Sequence, residues 1–198
     1  MPDVAVVLLA AGASRRMGQP KQLLAYRGRP LVHHAASAML ASPCRPILVV
    51  LGAEAERTRA ALDGLPVDVV HNPHWAYGVG TSIAAGITAV AARGVSGAVV
   101  ALADQAGVTA ATVDRLLAAR AASGRAIVAS RYAGTVGVPA YFAAAVFPQL
   151  LRLEPDQGCK PLILAAGEHA AHVDCPEAEL DVDTEQDYRQ LLETSLAL

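Results

Sequence analysis

Short runs of consecutive apolar residues recur along this chain and alternate with alanine-rich stretches of helical spacing, and this alternation restricts the fold more than any other feature. The runs cover residues 4–10, 47–51, 67–71, 98–103 and 126–130. In the first and fourth, apolar side chains fill successive positions, the pattern of strands covered on both faces. Between the runs the spacing predicts helices over residues 30–40, 54–62, 81–93 and 109–123. Pro30 suits a first helical turn, Thr109 or Thr112 an N-cap, and Gly124 a helix stop. Strand–helix alternation of this kind predicts a three-layer α/β/α domain with a mostly parallel sheet and right-handed crossovers. The last third is less regular: residues 141–151 and 160–166 read as helices, 170–174 as a strand, and 184–192 as a closing helix.

The chain has 198 residues, 54% of them apolar and 17% charged, which suits one packed domain over residues 1–198. A net charge of −2 with no Lys/Arg run gives nucleic acid no electrostatic footing as a partner. Met1-Pro2-Asp3 has no basic leader, and the apolar run behind it is too short for a signal peptide or a membrane span, so a cytoplasmic location is expected. Cys44, Cys159 and Cys175 are scattered and odd in number, as reduced thiols are, with no metal-ligand spacing.

The segment after the first run carries the chemistry. Leu8-Leu9-Ala10-Ala11-Gly12-Ala13-Ser14-Arg15-Arg16-Met17-Gly18-Gln19-Pro20-Lys21 ends a buried strand in small residues and then supplies two arginines and a lysine. Ligands of open parallel sheets sit beyond the carboxyl ends of the strands. Small residues let the backbone approach such a ligand and aim N–H groups at phosphate oxygens. Each cation about 4 Å from a phosphate adds roughly 4 kcal/mol of gross attraction at an effective dielectric near 20, before desolvation. Two or three such contacts suit a triphosphate. The segment is neither of the common phosphate loops: Gln19 follows the second glycine where a P-loop has lysine, and no GxGxxG run is present, which argues against a nicotinamide dehydrogenase.

The LAAGxSRRMGxxK pattern resembles the opening signature of the MobA-like nucleotidyltransferases, and its Ala-Ala-Gly form resembles the molybdenum cofactor cytidylyltransferase branch. Asn72-Pro73-His74-Trp75 with Gly78 and Ser82, Leu102-Ala103-Asp104-Gln105, Gly137-Val138-Pro139, and Asp181-Val182-Asp183-Thr184 with Asp187 are similar to further family segments, so the likeness spans nearly the whole chain. It implies a Rossmann-like sheet of the nucleotide-diphospho-sugar transferase type. It also implies Mg²⁺-dependent transfer of CMP from CTP to a phosphorylated molybdopterin-type cofactor, with release of pyrophosphate and a transient contact with a cofactor-receiving protein.

Asp104 directly follows an apolar strand at the loop's end of the sheet and is the first candidate metal ligand, since magnesium favours one or two carboxylates plus phosphate oxygens and water. Asp181 and Asp183 alternate around Val182, and spacing alone leaves open which of them joins the metal; the resemblance points to Asp183. The expected reaction is in-line attack of an acceptor phosphate on the α-phosphorus, catalysed by positioning and charge neutralisation. The catalytic set is then Arg16, Lys21 and Asp104, with Leu9, Ala10, Ala11, Gly12, Arg15 and Ser82 joining them around the nucleotide and Asn72 near the base. Ala106 stands where the family has proline, Val138 where it has histidine, and Asp156-Gln157-Gly158-Cys159-Lys160 departs from its usual run. These departures gather on the acceptor side. They leave room for a guanylyl- or other nucleotidyltransferase with a different phosphorylated acceptor, and for a non-catalytic nucleotide sensor or cofactor-delivery protein.

Overall fold

The structure, a computed structural model, describes residues 3–196; Met1 and Pro2, read above for a leader, lie outside them. In chain order the strands are β1 (Val4–Ala10), β2 (Ala25–Tyr26), β3 (Arg29–Pro30), β4 (Ile47–Leu51), β5 (Asp68–His71), β6 (Gly97–Leu102), β7 (Ile127–Tyr132), β8 (Thr135–Ala143) and β9 (Ala170–Asp174). The helices are α1 (Leu31–Leu40), α2 (Ala55–Ala60), α3 (Val79–Ala91), α4 (Ala110–Ser123), α5 (Phe147–Leu150), α6 (Lys160–Ala166) and α7 (Glu185–Leu196). Strands β2 and β3 form a separate hairpin, and the other seven make one sheet in the order β5-β4-β1-β6-β8-β7-β9.

Because β1 is apolar at every position, both its faces need cover. Ala5, Val7 and Leu9 enter one hydrophobic cluster with Ile83, Ile87 and Val90 of α3, Leu150 of α5 and Ile163 of α6. Val6, Leu8 and Ala10 enter a second with Val32 and Met39 of α1 and Val113 and Leu116 of α4. The result is the expected three-layer α/β fold. Thr109 precedes α4 with its N–H donating to Thr112 Oγ1, and Gly124 closes the helix at φ 67°.

β1 pairs in parallel with β4 on one side and β6 on the other. From β1 the chain builds outward to β4 and β5, then returns across β1 to lay down β6. Connections that leave β1 and β6 in opposite directions open a crevice at their carboxyl ends, the usual ligand position in such sheets. Leu9 and Leu102 are register partners there, which brings the segment after Ala10 beside the one that holds Asp104.

Residues 141–151, expected as a single helix, divide differently: Tyr141–Ala143 complete β8, and only Phe147–Leu150 form α5. β8 runs antiparallel between β6 and β7, buried from Pro139 to Phe142. The Ala143-Ala144-Ala145 run carries a helical preference, but Tyr141 and Phe142 suit a strand, and sheet pairing with burial extends β8 to Ala143. Pro139 is accommodated because the β7–β8 register shifts between Ala129 and Ser130, a bulge at which no ladder donor is needed. Side chains take up the freed carbonyls: Ser130 Oγ donates to Pro139 O, and Gln105 Nε2 and Tyr132 OH donate to Val138 O.

Candidate active site

The segment from Ala11 to Pro20 leaves β1 with small residues and turns at Ser14, whose φ of 52° is left-handed, an uncommon state for a residue with a Cβ. A polar latch holds it there. Gln22, only 4% exposed, donates from Nε2 to Gly12 O at 3.1 Å and accepts from Ser14 Oγ at 3.2 Å. Ser14 Oγ in turn accepts the Lys21 N–H at 2.9 Å. The carbonyls of Ala11, Gly12 and Ser14 are thus bonded inward, to Ala53 N–H, Gln22 and Met17 N–H. Among the described residues the N–H groups of Gly12 to Arg16 make no such bond and are available to an outside acceptor.

The latch also fixes the start of the Lys21 side chain, whose ammonium lies between two carboxylates. It contacts Asp104 Oδ2, and Asp183 Oδ1 at 2.8 Å. Arg16 takes the other oxygen of Asp183 at 2.7 Å. Residues 16, 21, 104 and 183 therefore meet at one point, although 167 positions separate the outer pair. Asp183 is held in place by backbone: Val182 N–H donates to Asp104 O at 3.1 Å, and Gln105 bridges to Asp181. Asp187 then accepts the Asp183 and Thr184 N–H groups while Thr184 Oγ1 accepts the Asp187 N–H, a reciprocal cap that starts α7. Burial alone would lower the Lys21 ammonium, but Asp104 and then Asp183 outweigh it and hold it above the ordinary lysine value. Burial alone would likewise raise Asp183, but Lys21 and Arg16 keep it below the usual carboxylate range.

All ten candidate residues, Leu9, Ala10, Ala11, Gly12, Arg15, Arg16, Lys21, Ser82, Asp104 and Asp183, line one cleft of about 440 Å³. Asn72 stands behind it. Its Nδ2 donates to Thr81 Oγ1 and Ser82 Oγ and its Oδ1 accepts His74 N–H, so it orients Ser82 and is not spare for a base. Trp75 lines the cleft and also packs on Gly52, where a Cβ would lie 2.5 Å from the Trp75 Cβ. Arg131 pairs with Asp174 at the surface, and Tyr132 is spent on Val138 O. Sequence reasoning missed Gln22 and Ser14; the one signal was an amide side chain directly after the lysine, and its burial is a tertiary fact. Val138 packs its side chain against the core and offers only its carbonyl, and Ala106 joins a small cluster with Leu24, Leu31 and Val182. Neither departure opens onto the carboxylates.

The geometry suits a divalent cation. Asp104 Oδ1 is a buried oxygen with no hydrogen-bond partner, while Oδ2 and Asp183 Oδ1 already reach one shared cation. Among the described residues no three His, Cys, Asp or Glu side chains gather closely enough to hold a metal unaided, so the remaining ligands would be phosphate oxygens and water.

A family model described as the MobA-like NTP transferase domain matches residues 6–173. The chain belongs to that family. Over most of its length the transferase is similar to the nicotine blue oxidoreductase of Paenarthrobacter nicotinovorans, at 37% identity over 213 residues covering 96% of this chain and 98% of that one. It is also similar to the purine catabolism protein PucB of Bacillus subtilis (strain 168), at 31% identity over 203 residues covering 94% and 95%. Among solved structures it resembles Rv0371c of Mycobacterium tuberculosis H37Rv in complex with manganese, with a TM-score of 0.78, 32% identity and coverage of 97% and 99%. Asp183 falls beyond the matched stretch, and its place in the cleft is a finding of the structure. No helix among the described residues is long and apolar enough to cross a membrane.

Two consequences for the transferase are measurable. A Cβ at Gly12 would meet no protein atom within 4 Å, and its φ is not left-handed, so the fold does not require glycine there. Gly12→Ala should leave the melting temperature unchanged yet weaken nucleotide binding about tenfold or more, since a methyl group would enter the space a ligand needs. Titration calorimetry giving a parental Kd would show that nothing approaches the loop at that point.

Asp181 lies half-buried beside the same group, and burial, then Asp104 and Asp183, push its carboxyl from 3.8 up to about 6. A raised carboxyl means that the folded state keeps a proton the unfolded chain has lost. The stability this gives is complete below pH 3.8 and is lost as the pH climbs through about 6. Asp181→Asn in metal-free buffer should therefore melt roughly 3–6 °C above the parent at pH 7.5, a gain of about 1–2 kcal/mol once solvent screening is allowed for. The difference should shrink towards pH 4. A pH-independent offset in the melting curves would contradict the assignment.

Proposed function

We propose that this transferase moves CMP from CTP to a phosphorylated molybdopterin-type cofactor and releases pyrophosphate, with Mg²⁺ as its metal. The observation that carries the reading is the meeting of Arg16 and Lys21 with Asp104 and Asp183 in a cleft lined by a loop whose Gly12 to Arg16 N–H groups are unbonded among the described residues. In this reading Asp104 and Asp183 hold the divalent ion, which when bound neutralises charge on the phosphate oxygens. The manganese complex of the similar Rv0371c supports a divalent cation of this kind. The N–H groups of Gly12 to Arg16 bind phosphate oxygens, Lys21 sits by the α-phosphate, and Arg16 draws charge from the departing pyrophosphate. Arg15 is a further outer contact. An acceptor phosphate is already ionised near neutral pH, so no side chain has to act as a strong base, and positioning with electrostatics supplies the rate. The backbone of Leu9, Ala10 and Ala11 with the oriented Ser82 reads the base, and Ala11, 6% exposed, favours cytosine by family likeness. The whole chain acts as one domain in the cytoplasm, with a transient contact to the protein that receives the cofactor.

The redox name of the Paenarthrobacter relative belongs to that protein. Two cations placed over two carboxylates fit a triphosphate and its metal. The test is pyrophosphate release across the four nucleoside triphosphates with molybdopterin-type and other phosphorylated acceptors. Release with CTP and the molybdopterin-type acceptor is expected. Release with GTP but not CTP overturns the choice of base. Tight CTP–Mg²⁺ binding without exchange of labelled pyrophosphate, in the presence of that acceptor, establishes a nucleotide sensor or delivery protein instead.

A further inference from the structure

We infer that Lys21 is an exchangeable counter-ion that closes the Asp104–Asp183 pair to free divalent metal and opens it only when a nucleotide arrives. This rests on the reading of those two carboxylates as the metal pair. The Lys21 ammonium contacts Asp104 Oδ2 and stands 2.8 Å from Asp183 Oδ1, so it occupies the space between the two carboxylates that would hold the metal. It is well placed to stay, with its side chain 19% exposed and its backbone N–H fixed to Ser14. Arg16 covers the outer oxygen of Asp183 at 2.7 Å. Two cations thus stand over this carboxylate pair, with Asp181 half-buried beside them. A divalent ion entering alone would place two more positive charges beside a lysine and an arginine whose paired carboxylates it had taken.

A triphosphate changes that balance. Its oxygens offer Lys21 and Arg16 new anionic partners on the loop side of the cleft, where the N–H groups of Gly12 to Arg16 are free. Asp104 Oδ2 and Asp183 Oδ1 would then be free to hold the metal. Metal and nucleotide are thereby coupled, and by linkage each raises the affinity for the other. Lys21 thus has a role in the free transferase separate from its contact with phosphate: it enforces joint entry.

The test is Mn²⁺ binding to the full chain with and without CTP and with no acceptor present, read from the loss of the free-Mn²⁺ EPR signal beyond that caused by CTP alone at the same concentration. The parent should bind Mn²⁺ weakly alone and strongly with CTP. Lys21→Met, and Lys21→Ala as a second variant with less bulk, should bind nucleotide-free Mn²⁺ at least about tenfold tighter than the parent, a change of 1.4 kcal/mol. Lys21→Arg, which keeps the charge, should stay near the parent. Adding Asp104→Ala to Lys21→Met should remove the gain, which locates it. If Lys21→Met and Lys21→Ala bind nucleotide-free Mn²⁺ no better than the parent while the parent binds it with CTP, the counter-ion role is wrong and the metal pair stands. If no form binds Mn²⁺ with or without CTP, the metal pair itself is wrong and this inference goes with it.

Discussion

Asp104→Ala should cut turnover by about 10³-fold or more, the scale of losing a group that fixes transition-state charge, while the protein still folds. The fold should survive because the structural bond at this position is made by backbone: Asp104 O accepts Val182 N–H, and alanine keeps that carbonyl. The carboxylate itself contacts Lys21 and leaves its second oxygen buried and unpartnered. Removing it also relieves the repulsion that raises Asp181. The melting temperature should therefore move by no more than a few degrees, as for a substitution that leaves no new cavity or orphaned charge. Lys21 retains Asp183 as its partner. The loss should fall mainly on kcat, since free N–H groups and Arg16 still bind the triphosphate. Asp104→Asn, which keeps the shape and removes the charge, should be nearly as slow. Steady-state assay of pyrophosphate release decides it, and near-parental turnover in both variants would remove Asp104 from the chemistry.

What could be foreseen at this site, and what could not, follows from the range of the interactions. Asp104 was legible because a carboxylate after an unbroken apolar strand has one place to be, and strand order puts that place beside the end of β1. Arg16 and Lys21 were legible as charge on a short loop. The choice between Asp181 and Asp183 was not legible from spacing, since both lie on one side of an extended segment. In the structure Val182 N–H bonding to Asp104 O and the Gln105–Asp181 bridge turn Asp183 to the cations, and Asp181 lies half-buried. The Gln22 latch was invisible for the same reason, because nothing local tells a buried glutamine from an exposed one. In the fold, β1, β4 and α4 followed from periodicity and caps, whereas β8 did not. Its Val136, Val138, Tyr141 and Phe142 suit a strand, but Gly137, Pro139 and the alanine run from 143 obscured it, and the β6 and β7 edges with the bulge that admits Pro139 make the strand there.

The largest loss of stability is expected from a substitution that helix propensity would favour. Gly86 lies in the interior of α3, where alanine ought to gain about 1 kcal/mol over glycine. In this fold the helix crosses the sheet so closely that a Cβ at position 86 would stand 2.3 Å from Val7 Cγ1 and 3.0 Å from Val50 Cγ2. Both valines are fully buried on central strands and have no room to retreat. Their β-branched side chains hold few rotamers, so relief requires the helix to lift from β1 and β4. Lifting α3 would also loosen the contacts of Ile83 and Ile87, which are 1% and 0% exposed, and would shift Ser82 at the cleft. Overpacking of this kind costs about 1–3 kcal/mol, and here it outweighs the propensity gain. Gly86→Ala should then lower the melting temperature by roughly 4–10 °C. Adding Val7→Ala should recover part of that loss, because it removes the methyl group that the new Cβ meets first. Denaturant unfolding of the single and double variants measures the coupling directly. If Gly86→Ala proved as stable as the parent, α3 would not approach β1 and β4 as closely as these distances require, and the seating of Ser82 over the cleft would have to be redrawn.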